Sequence, residues 1–337
     1  MRRLVMIRSE INASVGMGHA MRCLWIAKAL SDLGDDAVVC SEASPAIEAL
    51  AKSHGVRRLS LAAGQLPVSA DDAQALIEQR PGLVVVDSPK ANAAWSGAIR
   101  AGHVPLVVIS GEGGPRLEAE GCVWPESCPA DGVAVASPAF VCGEQYVPLA
   151  PEYWSGPRHR NRQEKRRILI TFGGVDHYDI SSSAIAALDE VADEVCSVRV
   201  IIGAFYDNVA QIENAAAASR HDIELVHQPQ GLHAHLSWCD FAICAGGTTL
   251  YEMCALGVSG VGIAVWPLQQ AAVDCVTGAG AALGITYSDS TQMAGDLRRA
   301  LVRLRDEAGL LDRLGAAGAR HIDGRGAIRI AQWLHQF

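Results

Sequence analysis

The chain has no Cys-x-x-Cys pair among its ten cysteines, no apolar run near bilayer-spanning length and no dominant basic tract. Each absence closes off a class of function. A helix crossing a membrane needs roughly 20 apolar residues in a row. The basic start Met1-Arg2-Arg3 leads into a short strand and not the apolar core of a signal peptide, so the expectation is a cytoplasmic protein without membrane insertion. A net charge of −9 argues against nucleic acid as a partner. Missing too are the Gly-x-Ser-x-Gly elbow of serine hydrolases and the Gly-Lys-Ser/Thr ending of a phosphate loop. The turn Gly16-x-Gly18 has no third glycine, which argues against a nicotinamide cofactor.

What remains is a globular chain of 337 residues, half of them hydrophobic, long enough for two domains. Cys23, Cys40, Cys142, Cys196, Cys244 and Cys254 sit in or beside apolar stretches and read as reduced core thiols. Cys122 and Cys128, close to Trp124 and Pro125, leave pairing or metal binding open.

Short apolar runs alternate with helical patterns. Leu4-Val5-Met6-Ile7, Ala37 to Cys40, Leu83 to Val86 and Leu106 to Ile109 predict buried parallel strands in a first half. A charged, proline-bearing stretch follows, and residues 158–166 are expected to link a domain at 1–157 to one at 167–322. Ile168 to Phe172, Ser197 to Ile202, Ile223 to Val226, Phe241 to Cys244 and Val261 to Val265 predict a second doubly wound sheet. A last helix within 323–337 is expected to fold back across the junction. Ligand would then sit at the carboxyl ends of the strands.

Two glycine turns carry the chemistry. Gly16-x-Gly18-His19 stands between the first strand and a helix striped by Leu24, Ala27 and Leu30. Free N–H groups at a helix start attract anions, and the same field favours a neutral imidazole able to take a proton. Tight packing of that turn is the competing explanation. The second is Ala245-Gly246-Gly247-Thr248-Thr249-Leu250-Tyr251-Glu252, where backbone N–H groups and two hydroxyls suit a diphosphate and Glu252 suits a ribose diol. Thr248 and Thr249 as helix caps, with Glu252 complementing the dipole, is the bland alternative. Gly173-Gly174-Val175-Asp176 repeats the strand-to-glycine design, with Asp176 as a candidate cap. His233 and His235 have metal-like spacing but no third ligand, and read as exposed residues before a helix.

In combination these motifs resemble the UDP-sugar hydrolases of pseudaminic acid biosynthesis, relatives of the glycosyltransferase that adds N-acetylglucosamine in peptidoglycan synthesis. The resemblance runs over most of the chain. It rests on Arg8, on Gly16-x-Gly18-His19-x-x-Arg22-Cys23-Leu24, on Cys142-Gly143-x-x-Tyr146 through Pro151-Glu152-Tyr153, and on Phe172-Gly173-Gly174-x-Asp176. It continues through Ala245-Gly246-Gly247-Thr248-Thr249-x-x-Glu252-x-Cys254-x-x-Gly257 to Asp323-Gly324-x-Gly326-Ala327-x-Arg329.

The resemblance implies an α/β protein of the GT-B fold, two Rossmann-like doubly wound domains facing a central cleft. It implies a UDP-sugar as small-molecule partner, with Gly246 to Thr249 at the diphosphate and Glu252 at the ribose. His19 would act on a water attacking the anomeric carbon, and the chemistry needs neither cofactor nor metal in principle. The departures fall on the sugar side. Glu10 stands for an aspartate, Asn12 for a serine, Ser88-Pro89 where a tyrosine follows Asp87, Gln269-Gln270 for Asn-Gln, and Ser110-Gly111 for Asp-Asp. Those changes keep two further readings open, a transferase with an acceptor hydroxyl and a nucleotide-sugar binder without turnover.

Overall fold

The computed structural model describes residues 2–10, 18–61, 69–110, 117–126, 128, 137–157, 165–203, 206 and 209–337. Two compact units result: Met1–Pro151 together with Arg325–Phe337, and Glu152–Gly324.

The first unit runs β1 (Leu4–Ser9), α1 (Gly18–Asp32), β2 (Asp36–Glu42), α2 (Pro45–Ser53), β3 (Arg57–Leu61), α3 (Ala70–Ile77), β4 (Leu83–Asp87), α4 (Ala93–Ala101), β5 (Leu106–Ile109), β6 (Gly121–Pro125) and β7 (Ala139–Gly143). Among the described residues its strands form one sheet in the order β3-β2-β1-β4-β5-β6-β7, every pairing parallel. β4 is buried along its whole length, as a strand covered by helices on both faces must be. Helices α2, α3 and α4 begin on polar caps, since the side chains of Ser44, Ser69 and Asn92 each accept a free N–H of the first turn.

Inside this unit a buried network ties β1 to α3 and α4. The Arg8 guanidinium donates to Asp72 at 3.2–3.3 Å, and the Trp95 indole donates to the same carboxylate at 2.7 Å. Arg8, Asp72 and Trp95 are all buried. A buried charge pair is tolerated when hydrogen bonds of this kind replace the lost water.

The second unit runs β8 (Arg167–Thr171), α5 (Ile180–Val191), β9 (Ser197–Ile202), α6 (Val209–Ala218), β10 (Asp222–His227), α7 (His233–Trp238), β11 (Phe241–Ala245), α8 (Thr248–Ala255), β12 (Ser259–Ala264), α9 (Gln270–Gly278), β13 (Leu283–Thr286), α10 (Ser290–Asp306) and α11 (Leu310–His321). Its sheet order is β10-β9-β8-β11-β12-β13, again parallel throughout the described residues. The core on one face gathers Ile168, Ile170, Val198, Val200, Ile243 and Val261 against α5 and α10. The last helix, α12 (Gly326–Leu334), belongs to the first unit, where it packs on α1 and buries Ala327, Ile330, Ala331 and Leu334. Of the linker expected at 158–166, residues 158–164 lie outside the described residues.

Both sheets share one property that locates a site. In the first, the chain winds outward from β1 to β3, returns, and winds the other way from β4. In the second it does the same around β8 and β11. The crevice between oppositely wound strands, at their carboxyl ends, is where open α/β sheets bind ligands.

The cysteines depart from expectation. Cys142, placed with the reduced core thiols, is bonded to Cys128, while Cys122 is a free buried thiol. Strand register supplies the reason. Cys142 sits on β7 opposite Trp124 near the end of β6, within reach of the chain that turns after Pro125, whereas Cys122 lies opposite Phe140 inside the sheet. His233 and His235 also differ: they lie within α7, partly buried, and the His233 ring meets Tyr153 edge-on at 5.2 Å.

Candidate functional site

At the first switch point β1 ends at Ser9, with Glu10 next in the chain, and register places Ser9 beside Asp87, the last residue of β4. α1 begins at Gly18, so its opening turn carries His19 and Arg22 on the same side, three residues apart. Asp87 lies under both. The His19 Nδ1 is 2.7 Å from Asp87 Oδ1, and Arg22 clamps the carboxylate with Nε to Oδ2 at 2.5 Å and Nη2 to Oδ1 at 2.6 Å. The Cys23 thiol faces Oδ2 at 3.5 Å.

Asp87 is buried, which by itself would push its carboxyl up. The charge and hydrogen bonds of Arg22, with those of His19, outweigh burial and hold it down at about 2. An ionised carboxylate accepts only, so the Nδ1 facing it is the donor, and in the neutral ring this arrangement puts the lone pair on Nε2. A carboxylate–imidazole pairing of this kind is able to orient a general base. Asp87 was legible in the sequence only as the polar end of an apolar strand.

Beside it, Glu10 is buried, accepts the Ser88 hydroxyl, and lies 3.6 Å from the half-exposed Lys90 ammonium. Two of the changed positions, Glu10 and Ser88, are thus in contact with each other. Asn12 and Gly16 lie outside the described residues. Gly18 keeps φ outside the left-handed region and a Cβ there would meet nothing within 4 Å, so packing within the unit does not call for a glycine.

The second switch point is built by the turns after β8 and β11. Gly173 has φ +78°, a conformation for which glycine is needed. A Cβ on Gly203, at the end of β9, would overlap the carbonyl oxygens of Gly173 and Gly174, so three glycines hold this turn close. Asp176 accepts the N–H groups of Ile180 at 3.0 Å and Ser181 at 2.8 Å, and so caps α5.

The turn after β11 is different in kind. Gly246 is packed, since a Cβ would run into Val273 and Gln269. Gly247 is not: it has negative φ, caps α8 without any side-chain cap, and a Cβ there would meet only Gln269 Nε2 at 3.9 Å. Thr248 is exposed and Thr249 partly so, with neither hydroxyl spent on capping. The first turn of α8 thus presents N–H groups, two hydroxyls and an open approach, the set an anion requires.

Glu252 follows one turn on. Burial pushes its carboxyl up to about 7, against the opposing influence of the Tyr153 hydroxyl and with help from Glu152. The Tyr153 hydroxyl is itself buried, faces Glu252, and makes no hydrogen bond of ordinary geometry. Gln269 and Gln270 have other occupations. The Gln269 side-chain oxygen accepts from the N–H of Val265 at 2.9 Å and of Trp266 at 3.3 Å, stapling the turn after β12. Gln270 bridges Asp274 and Thr286 at 2.8 and 2.9 Å.

No family profile matches the chain and no curated protein matches it. Solved structures do. The chain is similar to MurG of Acinetobacter baumannii, with 14% identity over all of both chains and a TM-score of 0.69. It is similar to a glycosyltransferase from Rickettsia africae, at 10% identity over 99% of this chain and 98% of that one, TM-score 0.68. It is also similar to HepE of Anabaena, crystallised with UDP and glucose, at 12% identity over all of both chains and a TM-score of 0.66. At such identities the likeness is one of fold, and the fold is GT-B, as the motifs implied.

Proposed function

We propose that this chain is an enzyme that transfers a glycosyl group from a UDP-linked sugar to an oxygen nucleophile, with His19 as the general base. The observation that carries the proposal is the His19–Asp87 pair at one sheet's switch point, matched by an open, glycine-capped helix start beside a carboxylate at the other's. In this reading the second unit holds the nucleotide. N–H groups of α8, Thr248 and Thr249 receive the diphosphate, and Glu252 accepts the ribose hydroxyls. Gly18, Gly173 and Gly174 would let the ligand approach the backbone closely, and Gly16, outside the described residues, is assigned to the same group on its motif alone.

The reaction balances without an added group. His19 Nε2 takes the proton of a hydroxyl, that oxygen bonds to the anomeric carbon, and the bond from that carbon to the diphosphate oxygen breaks with its electron pair leaving on UDP. Asp87 keeps the imidazole in the tautomer that can act and offsets the charge it gains. Helix-start N–H groups stabilise charge growing on the diphosphate. HepE, of the same fold, was crystallised with UDP and with glucose, which supports UDP as the carrier here.

Water as the nucleophile is the second reading, and the Gly18-His19-x-x-Arg22-Cys23-Leu24 motif favours it through its resemblance to UDP-sugar hydrolases. Glu10, Asn12, Gln269 and Gln270 are the sugar-side candidates in either case. A panel of UDP-sugars incubated in ¹⁸O-labelled water, with and without hydroxyl acceptors, separates the readings. Transfer predicts turnover that rises with an acceptor. Hydrolysis predicts label in the released sugar and indifference to acceptors. Label in phosphate overturns attack at the anomeric carbon, and tight binding without turnover by any of these routes overturns the enzyme assignment.

A further inference from the structure

Arg22 joins the His19–Asp87 pair as a third group. Arg22 is not free to hold a phosphate: Nε and Nη2 are both on Asp87, and Nη1 faces Glu126 at 3.8 Å. Its Nη2 also lies 3.0 Å from His19 Nδ1. Two N–H donors, one from the ring and one from the guanidinium, therefore converge on the same oxygen, Asp87 Oδ1. Glu126 is held facing this group from the end of β6 in a left-handed backbone conformation, φ 81°, which a non-glycine residue adopts only when its surroundings impose it.

We propose that Arg22 is a positioning residue that sets how readily His19 takes up a proton, by neutralising Asp87 without removing its charge from the hydrogen bond. The inference deepens the function proposed above and rests on His19 being the base.

The argument is electrostatic. A buried carboxylate with no counter-ion attracts a proton to the ring above it, and a base already protonated is useless. A carboxylate that is itself protonated would no longer fix the ring's tautomer. The bidentate guanidinium avoids both outcomes, since it keeps Asp87 ionised and cancels most of its field at the ring. The groups facing the ring are Asp87 from β4, Arg22 and Cys23 from α1, and Glu126 after β6. Glu10 and Lys90 form a separate pair on the same rim. Glu126 draws on the guanidinium from the other side, so the two acids compete for one cation.

The test follows the His19 ring itself by ¹⁵N NMR through a pH titration, with His19→Ala to assign the signal, in wild type, Arg22→Gln, Arg22→Lys and Glu126→Gln. Ring titration needs no turnover, so it is read whether or not UDP-sugars are substrates. In Arg22→Gln the midpoint should rise by about one pH unit or more, the size an opposite charge in contact exerts. Arg22→Lys, which keeps charge but loses the fork, should fall between, and Glu126→Gln should move the midpoint down. Where turnover is seen, the acid limb of kcat/KM should move with the ring while the Kd for UDP-glucose stays within about twofold, well under the tenfold of one pH unit's free energy. A midpoint unmoved or lowered in both Arg22 variants overturns the proposal. So does a UDP-glucose Kd raised tenfold with an unmoved midpoint, which would make Arg22 a ligand of the diphosphate. Should Arg22→Gln fail to fold, Arg22→Lys and Glu126→Gln still decide, because opposite directions are required of them.

Discussion

Glu252 is the residue at which stability and the proposed ligand should pull against each other. Its carboxyl is raised from 4.5 to about 7, with burial the chief cause. The folded state therefore holds the proton more tightly than the unfolded chain. The stability this contributes is fully present below about pH 4.5 and is lost as pH rises through 7, on the order of 3 kcal/mol in all. Glu252→Gln removes the charge and keeps the shape. Its Tm should match wild type at pH 5 and exceed it at pH 8 by on the order of 5 to 10 °C. Nucleotide binding should show the opposite dependence, because the ribose diol is accepted by the ionised carboxylate. Below pH 7 wild-type affinity should fall about tenfold per pH unit, and Glu252→Gln should bind weakly at every pH. UDP-glucose is the right probe for calorimetry, since its diphosphate lacks the terminal phosphate ionisation near pH 6 that UDP carries. A Tm gap of the same size at pH 5 and pH 8 refutes the burial argument. Affinity for UDP-glucose that is flat from pH 6 to pH 8 refutes the ribose assignment.

Other positions make independent demands. Asp87→Asn should lower kcat by about 10²- to 10⁴-fold while the UDP-glucose Kd stays put, checked by steady-state kinetics beside calorimetry. Gly247→Ala has room for its methyl, so chemical denaturation should register a loss under about 1 kcal/mol while nucleotide affinity drops; equal small losses in both would make the glycine a cap and nothing more. Asp72→Ala strips Arg8 of a buried counter-ion and should cost about 3–5 kcal/mol in urea unfolding, whereas a cost near zero would mean that the network of Arg8 and Trp95 carries no weight. Alkylation of the denatured, unreduced protein should label eight thiols, rising to ten after reduction; ten labelled without reduction would contradict the Cys128–Cys142 bond.

How far the sequence was legible depends on how local the signal was. Buried parallel strands such as β4 announce themselves as unbroken apolar runs, and the two strand-glycine-helix turns carry their geometry in adjacent residues. Edge strands do not. β3 reads Arg57-Arg58-Leu59-Ser60-Leu61, charged and alternating because an edge is half exposed. The interior strand β6 is obscured for a different reason, since it carries a glycine and a proline that strand patterns disfavour. The site divides in the same way. His19 and Glu252 stood out because each follows its own glycine turn, but Asp87 is 68 residues from His19, and only the parallel register of β1 with β4 brings it near. Tyr153 is paired with Glu252 by folding alone. That the Gln269 side-chain oxygen staples backbone could not be read from the pair Gln269-Gln270, since nothing in it reveals which way a side chain turns.

The membership of α12 has a consequence for how the chain is made. Residues 152–324, a complete doubly wound unit, are threaded between the bulk of the first unit and its final helix. During synthesis the ribosome therefore delivers a whole second sheet before α12 emerges. Until then α1 lacks the cover that α12 provides, and Arg3 lacks the carbonyls of Leu334 and Phe337 that it binds at 3.1 and 3.2 Å. The half that begins first is bound to finish last, and its uncovered helix face is the surface a nascent-chain chaperone would meet.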